Sequence, residues 1–111
     1  MDPYVYKAKV EKVIDGDTIE ATIDVGFHLF TRRRLRLLRV NTAELHALEG
    51  DVKAKAASAK ERMTALLSGK DILIRTEKSD SFGRFLAEVW LGDLNVNDWL
   101  LAEGLAVAFK K

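Results

Sequence analysis

Between Tyr4 and Val25 apolar residues keep close to a two-residue period on either side of one short polar interruption. Val5, Ala8, Val10 and Val13-Ile14 precede Asp15-Gly16, and Thr18, Ile19, Thr22, Ile23 and Val25 follow it. β-rich runs flanking Asp-Gly predict a hairpin. Gly26 punctuates the chain, and Phe27 to Val40 reads as a third strand, aromatic at its start and rich in Arg and Leu later. Within it Leu35 and Leu37 share one parity and Leu38 and Val40 the other, which implies a bulge or bend that re-aims side chains. Asn41 to Gly50 reads as loop.

The period then changes. Val52, Ala56, Ala59, Met63, Leu66 and Leu67 recur near helical spacing, so Asp51 to Ser68 is predicted to be a helix, with Gly69 just past its C-terminus. Ile72–Arg75 and Leu86–Leu91 read as two further strands joined by a polar segment and Phe82-Gly83. Gly92-Asp93 turns the chain into a short helix near Val96–Glu103, ended by Gly104, and Leu105–Phe109 is a last apolar run. Three strands, a helix, two strands and a short helix predict an α+β chain. Its pattern matches the OB-fold, a five-stranded, partly open Greek-key barrel with the helix between strands 3 and 4. A plain α+β sandwich is the competing architecture. No repeat or interior linker interrupts the pattern, so residues 1–111 are expected to form one domain.

Composition narrows the chemistry. The chain has no cysteine and only two histidines, His28 and His46, which excludes disulfide scaffolds, Cys-ligated zinc and thiol nucleophiles and leaves little for a His-rich metal site. Both histidines are expected at the surface or in packing roles, and Trp90 and Trp99 in the core. With 18 Lys+Arg against 17 Asp+Glu the net charge is +1, so any nucleic-acid binding must come from local charge placement. No apolar stretch is long enough for a membrane span, and Met1-Asp2-Pro3-Tyr4 lacks the basic and apolar regions of a signal peptide. A cytoplasmic protein or a mature secreted domain is expected, without membrane association.

Four clusters carry candidate chemistry. Asp15-Gly16-Asp17-Thr18 is by itself an ordinary turn, but Asp17 also offers a hard oxygen ligand for calcium or magnesium. The nine residues Arg32–Val40 hold five arginines and no acid. That run reads either as a solvated strand face or as forked donors for phosphate, and Arg36, between leucines, is the best candidate for an inward guanidinium. Asn41-Thr42-Ala43-Glu44 follows directly, a loop that adds oxygen donors and a carboxylate able to act as a general base. Asp80-Ser81-Phe82-Gly83-Arg84 is a turn that gives Arg84 a defined place at a strand start. Phosphodiester hydrolysis requires an aimed water, a base for its proton and positive charge on the phosphoryl oxygens. Asp17, Arg36, Asn41, Glu44 and Arg84 would supply that set if they converge.

In order and spacing, Val13–Thr18, Arg36–Glu44, Asp80–Ala87 and Asn95–Ala106 resemble the staphylococcal nuclease family over nearly the whole chain. The resemblance implies an OB-fold and calcium-dependent cleavage of DNA and RNA to 3′-phosphate and 5′-hydroxyl ends. It implies Asp17, Asn41 and the Thr42 carbonyl as Ca2+ ligands, and Arg36, Glu44 and Arg84 as catalytic residues. Arg34, Arg36, Phe82 and Arg84 would contact the nucleic acid, and a monomer is expected. The sequence departs from the family pattern at Asn41, where an aspartate is usual, at Ala43 in place of a proline, and at Phe82 in place of a tyrosine. A family member that keeps the barrel but binds nucleic acid or protein without cleaving is the alternative.

Overall fold

Two antiparallel strands, β1 (Val5–Asp15) and β2 (Thr18–Asp24), flank Gly16-Asp17 in a computed structural model that describes residues 4–41, 51–79 and 85–108. Their ladder runs from Ala8↔Ile23 to Asp15↔Thr18, with register shifts between Val10 and Lys12 and between Val13 and Asp15. An extra residue on one strand bends it and increases its twist. The bend matters because β1 serves two neighbours: Ala8–Asp15 pair with β2, while Val5–Lys9 pair antiparallel with β5 (Asp71–Ser79).

Strand β3 (Phe30–Leu37) pairs antiparallel with β2 over its full length, and β5 pairs with β6 (Phe85–Leu91), giving the order β3-β2-β1-β5-β6. Leu35, Arg36 and Leu37 then pair in parallel with Phe85, Leu86 and Ala87, which returns the sheet to its first strand. The result is a five-stranded mixed barrel with two helices, the predicted OB-fold. Closure removes free sheet edges. Val10, Ile19, Ala21, Leu35, Leu37, Ile74 and Val89 fill the interior, fully or almost fully buried.

Helix α1 (Asp51–Leu67) buries Ala59, Met63 and Leu67, the stripe its spacing predicts. Its end is tied to β1 by backbone bonds: Gly69 N–H donates to the Val10 carbonyl at 3.1 Å and Val10 N–H to the Lys70 carbonyl at 2.9 Å. Gly69 sits at φ +71, a conformation open to glycine at little cost. Helix α2 (Val96–Ala102) follows the short strand β7 (Leu94–Asn95), and the Asn95 side chain caps it by accepting from Asp98 N–H at 2.9 Å. Gly104 N–H to the Leu101 carbonyl and Leu105 N–H to the Leu100 carbonyl close its C-terminus as a Schellman motif. Beyond it β8 (Val107–Ala108) pairs with β4 (Val40–Asn41).

Several boundaries differ from the sequence expectation, each for a physical reason. The third strand begins at Phe30, because Gly26, Phe27 and His28 all have positive φ and turn the chain, closed by Leu29 N–H to the Gly26 carbonyl at 2.9 Å. It ends at Leu37, where Leu38 and Arg39 make a corner before β4, the bend that the parity switch implies. The fourth strand is longer than Ile72–Arg75, since backbone pairing continues through polar residues to Ser79 opposite Phe85. Trp90 and Trp99 are half-buried rather than interior: the Arg75 guanidinium lies 6.0 Å from the Trp90 ring and that of Arg62 lies 5.3 Å from the Trp99 ring. His28 is exposed. No helix among the described residues is long and apolar enough to cross a membrane.

Candidate active site

The β1–β2 turn and the end of β3 meet at one rim of the barrel. Thr18 pairs with Arg36, and Leu37 N–H donates to the Asp17 carbonyl at 2.8 Å, so the turn's backbone is fixed to β3 one residue beyond the arginine. The Asp17 residue is 6% exposed, and its Oδ1 accepts from Thr18 Oγ1 at 3.1 Å. Arg36 Nη1 stands 3.4 Å from the other carboxylate oxygen.

Strand alternation sends Leu35 and Leu37 into the core and Arg36 to the opposite face. There it stays 13% exposed, because the chain folds over it: Nη1 donates to the Leu37 carbonyl at 2.9 Å and to the Val40 carbonyl at 2.8 Å. One guanidinium nitrogen therefore spans the Leu38-Arg39 corner and points the chain toward Asn41. Asp17 and Arg36 are the two predicted site residues that the described structure brings together. Arg34, two residues earlier on the same face, is exposed and lies 3.9 Å from Glu20. Thr42, Glu44, Phe82, Arg84 and His46 fall outside the described residues, as does most of the predicted 41–50 loop, and of Asn41 only the backbone is described, in β4.

Three supporting residues escaped sequence reasoning. Asn97, fully buried on α2, donates through Nδ2 to the Leu38 carbonyl at 2.7 Å and the Ala87 carbonyl at 3.2 Å, and accepts from Val89 N–H at 3.0 Å. Its amide thus joins the corner to β6. Its signal was a polar residue on the helix face that Val96 and Leu100 bury. Arg39 holds the corner's left-handed conformation, φ +68, and pairs with Glu88 through two hydrogen bonds and with Asp98 at 2.9 Å. Glu88 is 4% exposed and also accepts from Asn95 Nδ2 at 3.0 Å. Hydrogen bonding to Glu88, ahead of every other influence, raises the Arg39 pKa above its ordinary value. A strained corner of this kind persists only where its surroundings over-determine it.

The donor chemistry fits a hard cation in part. Asp17 supplies a buried carboxylate, the ligand type calcium prefers. Among the described residues no group of three or more His, Cys, Asp or Glu side chains gathers. Further oxygens would have to come from Asn41 and Thr42, beyond the corner that Arg36 fastens.

A closed five-stranded OB-type barrel with a buried aspartate against an arginine at its rim defines the class of this α+β domain. Comparison with known proteins narrows the class. The family model described as "Staphylococcal nuclease homologue" matches residues 34–111, and the chain belongs to that family. It is 34% identical over 102 residues to the thermonuclease of Staphylococcus hyicus, covering 90% of this chain and 57% of that protein. Against the thermonuclease of Staphylococcus intermedius the identity is 36% over 101 residues, covering 89% and 57%. An uncharacterized endonuclease of Escherichia coli O157:H7 is 27% identical over 106 residues, covering 93% and 61%. The chain thus spans somewhat more than half the length of these relatives.

Proposed function

We infer that the chain, as a single domain, hydrolyses phosphodiester bonds of DNA and RNA with calcium, leaving 3′-phosphate and 5′-hydroxyl ends. The observation that carries this reading is the Asp17–Arg36 pair at 3.4 Å, in a member of this family. In the reaction water attacks phosphorus in line, the P–O5′ bond breaks, and the leaving oxygen takes a proton. Glu44 accepts the proton of the attacking water. Arg36 and Arg84 place forked donors on the phosphoryl oxygens as negative charge grows there, the kind of preorganised contact worth about 3 to 4 kcal/mol of barrier. Asp17, Asn41 and the Thr42 carbonyl would hold the Ca2+, which when bound neutralises phosphoryl charge and orders the substrate. Arg34 and Phe82 extend the contact with the nucleic acid.

A second reading, a barrel that binds without cutting, is favoured by Asn41, which keeps an oxygen donor but lacks the charge of the family's aspartate. The experiment that separates them follows the hyperchromicity of single-stranded DNA with the protein in calcium or in chelator. Calcium-dependent release is expected. Its absence even at millimolar calcium sinks the nuclease reading.

A further inference from the structure

Resting on that reading, we propose that the outward row of β3 is a subsite for single-stranded nucleic acid that leads from the scissile phosphate to a base-stacking position at Phe30. Alternation places Arg36, Arg34, Arg32 and Phe30 on one face of one strand. Glu20 confirms the shared face, standing 2.8 Å from Arg32 and 3.9 Å from Arg34. Successive members of the row are two residues apart, about 6.7 Å, close to the spacing of phosphates along an extended strand. Arg36 to Phe30 spans six residues, about 20 Å, which corresponds to about three nucleotides. One carboxylate between Arg32 and Arg34 leaves that part of the row net cationic, as a phosphate track requires.

At the far end the chemistry changes from charge to stacking. Phe30 is 63% exposed, so its ring face is open to a stacking partner. It forms one wall of a groove of about 560 Å³ whose other walls include Leu73, Thr22, Lys7, Lys9 and Asp24. Glu11 and Asp71 also line it, so three acids stand against two lysines, and the groove suits an uncharged base rather than a phosphate. A base stacked on Phe30 would present its amino and carbonyl edges to these charged and hydroxyl groups.

The test is fluorescence anisotropy of labelled oligothymidylates of 3 and 12 nucleotides in chelator, which prevents cleavage. The parent is expected to bind the 12-mer at least 10-fold more tightly than the 3-mer. Phe30→Ala should weaken 12-mer binding roughly 5- to 100-fold, the range seen for loss of one stacking platform, while Phe30→Trp restores it. Arg32→Ala should lower the salt dependence of 12-mer binding by about 0.7 in log–log slope. Equal affinity of the parent for both lengths, or parent-like 12-mer binding by Phe30→Ala, overturns the subsite. So does a parent that sediments as a dimer which Phe30→Ala dissociates, because the face would then join copies of the chain. The nuclease reading fails separately: length-dependent binding lost in Phe30→Ala, without calcium-dependent cleavage by the parent, supports the subsite and sinks only the catalysis.

Discussion

Replacing Asn97 with alanine isolates what holds the corner beside Arg36. The amide makes three hydrogen bonds, two of them buried and the one to Leu38 half-buried, and the three partners do not lose equally when it is removed. The Ala87 carbonyl also accepts from Leu38 N–H at 2.9 Å and keeps that bond, whereas the Leu38 carbonyl and Val89 N–H lose theirs. A buried polar group stripped of its partner costs about 1 to 3 kcal/mol; Val89 N–H takes that full cost and the half-buried Leu38 carbonyl a smaller one, so the two together amount to about 3 kcal/mol. For a domain of this size that is a drop in Tm of about 10 to 15 °C. Urea unfolding followed by circular dichroism measures it, with an unchanged m-value marking a loss of stability rather than of compactness. Asn97→Asp sharpens the case, because it keeps an acceptor for Val89 N–H but sets a carboxylate against the Leu38 and Ala87 carbonyls. Burial there raises the carboxyl pKa in the folded state, so the protonated form is the one the fold tolerates. Stability relative to the parent should therefore recover on acidification and fall as pH rises through the folded value. A cost below about 1 kcal/mol for Asn97→Ala, or an Asn97→Asp variant with no pH dependence beyond the parent's, refutes the reasoning.

Arg36→Ala should slow cleavage by about 100-fold or more and Arg36→Lys should recover little of it, since a lysine has no fork; parent-like turnover in either would remove Arg36 from the site. Because Arg36→Ala also strips a donor from the Leu37 and Val40 carbonyls, its Tm should fall as well, and comparison of rates below both transitions separates the two effects. Asn41→Asp should tighten calcium binding, read by calorimetry, because one added charge at 4 Å and an effective dielectric near 20 interacts by about 4 kcal/mol per opposing charge before desolvation. Arg39→Ala leaves Glu88 buried with Asn95 as its described partner and should destabilise by about 3 kcal/mol; Glu88→Gln made in the same background should recover part of that loss, and no recovery would argue against the charge pair.

The barrel was legible because burial writes itself into period. Val10, Ile19, Leu35 and Ile74 alternate with polar residues on strands, and Ala59, Met63 and Leu67 repeat on a helix. The bend after Leu37 was legible too, from the parity switch at Leu38. What misled was apolar character without burial: Phe27 reads as strand, yet it is 94% exposed at a turn with φ +56. Polar character without a loop misled in the other direction at Thr76–Ser79, since backbone pairing does not depend on what the side chains are. Asp17 and Arg36 were singled out by residue type and given their roles by the family resemblance, and their proximity is a consequence of the Thr18↔Arg36 register. Asn97, Arg39 and Glu88 were not found as a unit, because their partners lie across elements that one-dimensional spacing cannot relate.

Closure of the barrel rests on three rungs between Leu35–Leu37 and Phe85–Ala87, segments 50 residues apart along the chain. Loop-closure entropy opposes that meeting until the rungs form, and ladders of such separation form slowly. During synthesis from the N-terminus the residues of the β1–β2–β3 meander are made before those of β6. The corner whose carbonyls Arg36 binds is held from the far side by the Ala87 carbonyl and the Asn97 amide. If the barrel closes last, recovery of the proposed cleavage on refolding should lag formation of the meander, and stopped-flow circular dichroism beside an activity assay checks it.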